Sequence, residues 1–147
     1  MSEITQVTSN GNNQVTNYDV SKVGLGNNKF IQAEFTASGD TEIAEGTVFG
    51  VISATGKLKV LDKDSMDNSQ YPKGVFYNGI GGTKTVADGT TVTLTLINKG
   101  SVDSSKLVFA DGTDLDSVVG TQAIKYWLND LGLVLESGVE LSKIDNQ

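Results

Sequence analysis

A glycine-rich stretch at residues 78–85, NGIGGTKT, has the composition of a phosphate-binding loop. A P-loop needs glycine directly before its Lys-Ser/Thr pair, because the backbone N–H groups there curl around phosphate at a helix N-terminus. Thr83 stands at that position, and the following VADGTTVTLTL has the alternation of a strand. The dinucleotide fingerprint also fails, since Lys84 replaces its last small residue. We interpret the stretch as a turn between strands, with glycines at positive φ.

Two acidic clusters contain the residue types of a calcium site. DKDSMDN (62–68) begins like an EF-hand loop, but Met66 and Asp67 break its pattern and Lys73 stands where the terminal Glu belongs. DGTDLD (111–116) more often forms a β-turn and caps a helix N-terminus than binds a metal. We predict no metal site in either cluster. The carboxylates also single out no pair for glycoside hydrolysis.

The absence of three residue types limits catalysis further. The chain has no His, no Cys and no Arg, because all 11 of its basic residues are Lys. The usual proton-transfer side chain, thiolate nucleophiles, zinc sites of the N/S kind and bidentate phosphate clamps are therefore missing. We predict that the protein is not an enzyme and needs no cofactor.

The charge and the hydropathy pattern exclude two classes of partner. A formal charge of −7 and a pI near 4.4 argue against direct nucleic-acid or anionic-membrane binding, although they also fit simple solubility. No apolar run is long enough to span a bilayer. The first residues, MSEITQVTSN, lack the basic and apolar regions of a secretory signal, so we expect synthesis in the cytoplasm.

Residues 1–28 differ in composition from the rest of the chain. Ser, Thr, Asn, Gln and Gly dominate, and the apolar residues are too few to offset the entropy of ordering the segment alone. Either this is a disordered tail, or it orders on a partner by adding a strand to the edge of a foreign sheet. In the second case the residues that bind are Ile4, Val7, Val15, Tyr18 and Val20.

Residues 29–147 have the pattern of a β-rich domain. Apolar and polar residues alternate most clearly in TTVTLTL, and Gly50 indicates a bulge or a close backbone approach. We predict strands at 30–37, 47–52, 58–61, 74–78, 90–96, 106–109, 133–136 and 139–144. The fold class is α+β, mainly β.

One segment, TQAIKYWLNDLG (121–132), has helical periodicity instead. An apolar stripe repeats at i, i+3, i+4 and i+7, and it includes Trp127, which we interpret as core packing. Thr121 is the predicted N-cap and Gly132 the predicted left-handed end. Alternatively, helical structure begins earlier, near Asp114 or Asp116, and is interrupted at Gly120.

The order of these segments resembles a known family. EGTVFGVISATGKLKVLDKDSMDN followed by PKGVFYNGI, then TLTLINKGSVDSSKLVFADGT and AIKYWLNDLGLVLE, is similar to the head decoration proteins of tailed bacteriophages, the family of phage lambda protein D. The likeness covers about residues 40 to 137. The N-terminal arm is longer here, Lys99 replaces the commoner Arg, and VELSKIDNQ extends beyond the usual end of the family.

The resemblance implies a fold, a partner and a location. The fold would be a compact mixed β domain, β-tulip-like, with one main C-terminal helix and an extended N-terminal arm. The protein would be a homotrimer on the outer capsid surface of the virion, over local three-fold axes of the major capsid protein shell. It would cement the head against the pressure of packaged DNA. The alternative is a carbohydrate-binding or adhesive β domain, although few aromatic residues are available to stack on sugars.

Overall fold

The computed structural model of the protein describes residues 23–79 and 82–136. Its elements in chain order are β1 (Gly24–Thr36), β2 (Thr41–Ala44), β3 (Val48–Val51), β4 (Leu58–Val60), β5 (Gly74–Phe76), β6 (Thr83–Val86), β7 (Thr91–Asp103), β8 (Val118–Val119), β9 (Gln122–Ala123), α1 (Ile124–Leu131) and β10 (Leu133–Glu136). A short 3-10 turn, Ser104–Lys106, follows β7. Within this part of the chain the fold is mainly β with one helix, so the predicted fold class is confirmed.

Strand β7 organises the main sheet, because three strands pair with it. β1 runs antiparallel along one edge, from its start opposite Val102 to its end opposite Thr91. On the other edge β5 pairs with residues 96–97, and β10 runs parallel to residues 100–103. β3 continues the sheet beyond β5, and β4 lies beyond β3. Two smaller pairs, β2 with β6 and β8 with β9, lie outside this sheet.

The alternating patterns occupy the predicted strands. In β7, Leu94 and Leu96 are buried while Thr91 and Thr93 are exposed. The predicted strands at 47–52, 58–61, 74–78 and 133–136 are present with slightly different bounds. Those at 30–37 and 90–96 are present as parts of longer strands, since β1 begins at Gly24 and β7 ends at Asp103. The predicted strand at 139–144 lies outside the described residues. Strands β2 and β6 were not predicted, since both are short and half polar.

The predicted strand at 106–109 is wrong. Residues 104–106 form the 3-10 turn, and only Val108 makes an isolated bridge, to Thr47. The cause is Asp103, whose carboxylate accepts hydrogen bonds from the Ser105 N–H at 3.0 Å and the Ser105 hydroxyl at 2.6 Å. This local capping bends the chain out of the extended conformation.

The helix is shorter than predicted, and its predicted cap is wrong. It begins at Ile124 and has no side-chain cap, because Thr121 lies in the turn of the β8–β9 hairpin. The Ile124 N–H instead donates to the Ser117 carbonyl at 2.9 Å, and the Lys125 N–H to the Leu115 carbonyl at 3.0 Å. Backbone acceptors thus satisfy N–H groups that a cap would otherwise serve.

The other helix predictions had mixed outcomes. The C-terminal end is confirmed, since Gly132 has φ 113° and closes the helix onto the Asn129 carbonyl. No helix begins near Asp114 or Asp116, because the hairpin occupies residues 118–123. Within residues 23–79 and 82–136, no helix is long and apolar enough to cross a membrane.

The main sheet is covered on both faces, because neighbouring residues of a strand point to opposite sides. Leu96 and Ile97 illustrate this, since each is fully buried but in a different cluster. The helix covers one face, and the β2–β6 pair covers the other. The helix-side cluster comprises Val23, Val48, Leu61, Val75, Ile97, Val102, Val119, Ile124, Leu128 and Leu133; the opposite cluster comprises Phe35, Ala37, Ile43, Phe49, Leu58, Phe76, Val86, Leu94 and Leu96.

Candidate functional site

The glycine-rich stretch does not form a phosphate-binding loop. Lys84 and Thr85 lie in β6, paired with β2, and not at a helix N-terminus. Gly79 and Gly82 have φ of 83° and 82°, as expected for a turn between strands, while residues 80 and 81 lie outside the described residues. The connection is shorter than predicted, because the strand already begins at Thr83.

The aspartates of the two acidic clusters bind their own loops. Asp62 accepts a hydrogen bond from the Asp64 N–H at 2.9 Å, and Asp114 accepts one from the Asp116 N–H at 2.9 Å. Asp116 pairs with Lys125 at 2.8 Å. Across the described ranges, acidic side chains do not come together in groups of three or more, as a metal site would require. The turn interpretation of DGTDLD is confirmed, but its helix-capping role is wrong because α1 begins at Ile124.

Asp67 gives the acidic loop a pH-dependent contribution to stability. The Ser69 hydroxyl and then the Ser69 N–H hold the pKa of Asp67 below its ordinary 3.8. A carboxyl with a lowered folded-state pKa stabilises the protein above the unfolded pKa, and this contribution is lost as the pH falls through the folded pKa. We expect Asp67→Asn to lower the free energy of unfolding slightly at neutral pH but not well below pH 3.8. Urea unfolding at both pH values measures this, and an equal loss at both would contradict it.

Trp127 is half-buried against the helix-side core, as its interpretation as a packing residue predicted. Its indole N–H donates to the Val119 carbonyl at 2.8 Å, and the Tyr71 ring meets it edge-on with the centroids 5.1 Å apart. Groups of the protein itself therefore contact the Trp127 ring. This arrangement favours packing over sugar stacking, the basis of the carbohydrate-binding alternative.

The predicted binding residues of the arm, Ile4, Val7, Val15, Tyr18 and Val20, lie outside the described residues. Their role stays a prediction. The predicted boundary between arm and domain, at residue 28, falls inside β1. The described part of the arm segment, residues 23–28, therefore shows how the arm joins the body.

Val23 is the root of the arm, and the body holds it by three groups. Its side chain is 0% exposed and packs in the helix-side core. Its N–H donates to Glu45 Oε2 at 2.8 Å, and its carbonyl accepts from the Asp103 N–H at 2.8 Å. Hydrogen bonds to both backbone groups of Val23, together with its buried side chain, fix the position of the first described residue.

The first residues of β1 are irregular but well bonded. The pairing with β7 shifts register three times between Gly24 and Phe30, as β-bulges do. Asn28 secures this stretch, because its side-chain amide donates to the Ser101 carbonyl at 3.0 Å and approaches the Lys99 carbonyl at 3.4 Å. The bulged start of β1 is thus tied to β7 by a side chain as well as by the ladder.

Both ends of the described chain lie at the same end of the main sheet. β1 is antiparallel to β7, so its beginning lies beside the end of β7, opposite Val102. β10 is parallel to β7 and ends at Glu136 opposite Asp103, where the Ser104 hydroxyl donates to the Glu136 carbonyl at 3.1 Å. Two strand spacings, about 10 Å, therefore separate the points where residues 22 and 137 continue the chain.

Glu45 is the residue at this site that the sequence reasoning missed. It is a carboxylate only 6% exposed, and its second oxygen accepts from the Asn78 N–H at 2.8 Å. The only indication of Glu45 in the sequence is that an acidic residue stands between the apolar end of β2 and the GTVFG strand. It does not reveal the partners, because both donors are backbone groups distant in the sequence.

Comparison with known families identifies the class of protein. The chain matches the family model described as Bacteriophage lambda head decoration protein D over residues 11–123. This range covers most of the chain, from within the arm to the end of β9, and the chain belongs to this family. Its members are structural proteins of the phage head, and it is not an enzyme family. No curated protein matches the chain.

Proposed function

We propose that this protein binds as a homotrimer to the outer surface of a major capsid protein shell, over local three-fold axes, and cements the head against DNA pressure. Family membership supports the coarser part, a head decoration protein of the virion. The observation that carries the mode of binding is the root of the arm, where the body holds Val23 by its side chain, its N–H and its carbonyl.

The arm is the proposed fastening element. Residues 1–22 start from a fixed point on a rigid sheet, so they can reach a neighbouring surface without loosening the body. Ile4, Val7, Val15, Tyr18 and Val20 suit a strand added to an edge of the capsid protein, where backbone hydrogen bonds supply affinity and alternate side chains supply specificity. Three arms on one trimer would act together by avidity, so modest single contacts suffice.

The charge of the protein is compatible with this location. A protein of net charge −7 is repelled by DNA, and on the outer face of the shell it would not contact the packaged genome. Synthesis in the host cytoplasm followed by assembly onto the expanded shell fits the same picture. No catalytic step or cofactor is needed for such a clamp.

Imaging of undecorated capsids mixed with the purified protein tests this proposal. We expect new density over the local three-fold axes, with the mass of three copies at each, on the outer face of the shell. Capsids without added protein are the control for density that belongs to the shell. Density at other positions would overturn the three-fold assignment, and the absence of density would overturn capsid binding.

A further inference from the structure

Glu45 joins two distant parts of the chain through a buried carboxylate. Glu45 Oε2 accepts a hydrogen bond from the Val23 N–H, and Glu45 Oε1 accepts one from the Asn78 N–H, each at 2.8 Å. With 6% of its surface exposed, the carboxylate depends on these protein donors in place of water. Hydrogen bonds from N–H groups to an ionised acceptor are among the stronger ones in proteins.

The position of Glu45 is itself fixed. It follows β2 directly, and its own N–H donates to the Gly82 carbonyl at 2.8 Å. The next residue, Gly46, donates its N–H to the Phe76 carbonyl at 3.0 Å. The backbone that carries the carboxylate is therefore bonded to β5 and to the last residue of the glycine-rich connection before β6. The carboxylate in turn fixes the position of the Val23 N–H.

We infer that Glu45 is a positioning residue for capsid binding, which sets the place and the direction at which residues 1–22 leave the body. The inference rests on the proposed function, because the arm must be the element that binds. Val23 has two backbone anchors, the Glu45 carboxylate on its N–H and the Asp103 N–H on its carbonyl. Only the first lies on the side of the arm. Its loss leaves the Val23 N–H without this acceptor, while the side chain of Val23 stays in the core.

A freed root makes binding weaker without removing any contact with the shell. An arm that starts from a fixed peptide has fewer conformations to lose when it orders on a partner. The Glu45→Gln substitution preserves size but offers only one acceptor oxygen, and its amide N–H groups face a backbone N–H. We expect this variant to bind capsids about tenfold more weakly, the effect of ordering about one additional backbone residue.

A matched control separates positioning from general stability. Val86 is 2% exposed and lies in the opposite core cluster, across the main sheet from Val23. Val86→Ala removes buried methyl groups and lowers the free energy of unfolding, but it leaves the root of the arm intact. We expect it to bind capsids as the wild type does.

The experiment compares the full-length wild type, Glu45→Gln and Val86→Ala by three measurements: urea unfolding, amide hydrogen exchange in the free protein, and affinity for undecorated capsids. We expect faster exchange at Val23 and Asn78 in Glu45→Gln, together with the loss of affinity. Glu45→Asp, which keeps the charge but shortens the reach, replaces Glu45→Gln if the latter does not fold.

The outcomes distinguish the inference from the proposed function. If the wild type binds capsids and Glu45→Gln binds equally well, Glu45 is only structural and the inference is wrong. If Val86→Ala loses as much affinity as Glu45→Gln, the loss reflects stability and the inference is again wrong. If the wild type binds no capsid at all, the proposed function fails and the inference fails with it.

Discussion

Replacing Gly50 by alanine lowers the free energy of unfolding by about 3 kcal/mol or more. Gly50 lies in β3, and a Cβ atom on it would stand 1.9 Å from the Ser69 carbonyl oxygen and 2.6 Å from the Ser69 carbonyl carbon. Both atoms belong to the backbone, so no flexible side chain can move aside. Ser69 is itself fully buried, and its loop would have to shift away from the sheet. The midpoint temperature of thermal unfolding should fall by about 10 °C for a domain of this size.

Gly56→Ala is the matched control for this prediction. Gly56 lies in the ATGK turn with φ 72°, but a Cβ atom there meets nothing within 4 Å. Its replacement therefore carries only the conformational cost of a left-handed residue, about 1 kcal/mol. Urea unfolding of both variants separates the steric cost from the conformational one. Equal losses would mean that the Ser69 loop yields freely, which would contradict the prediction for Gly50.

Patterns that depend on burial could be predicted from the sequence. Leu94 and Leu96 alternate with less buried threonines because their side chains point to the same core cluster. The stripe of α1 predicted its buried face, and Gly50 predicted a close backbone approach. In each case one local feature, a period or a missing side chain, determines the outcome without reference to distant residues.

Features that depend on distant backbone groups could not be predicted. The helix begins at Ile124 without a cap because carbonyls of Leu115 and Ser117 happen to lie in reach. The strand pattern of residues 106–109 is overridden for a different, local reason, because the carboxylate of Asp103 caps Ser105 two residues along the chain. A hydrogen bond from a neighbouring loop leaves no periodic signal, so local propensity is outweighed by tertiary context.

The site shows the same division. Composition alone predicts an arm over residues 1–28, because apolar residues are few in this segment. Composition does not predict that residues 24–28 lie in β1, since they have the polar, glycine-rich composition of the arm segment and yet belong to the strand that pairs with β7. Glu45 was missed because a single acid among apolar segments gives no indication of which N–H groups it will accept.

Removing residues 1–22 should abolish capsid decoration and leave the body as stable as the wild type. The described core clusters and main sheet consist of residues from Val23 onward, so the truncated protein keeps all of those residues. The proposed binding residues Ile4, Val7, Val15, Tyr18 and Val20 are all lost. Imaging of capsids mixed with the truncated protein checks binding, and urea unfolding checks stability. Full decoration by the truncated protein would show that the arm is not the fastening element.

Removing residues 1–28 is the informative comparison, because this cut passes through β1. It deletes the buried side chain of Val23, worth about 2 kcal/mol, and the backbone hydrogen bonds of Val23 to Glu45 and Asp103. The Glu45 carboxylate then remains in the core with one donor fewer, which adds the cost of a poorly satisfied buried charge. We expect a loss of about 3 kcal/mol or more relative to the 1–22 deletion. Equal stability of the two truncated proteins would mean that residues 23–28 add little to the body, so that the arm extends to residue 28 and the body begins at residue 29.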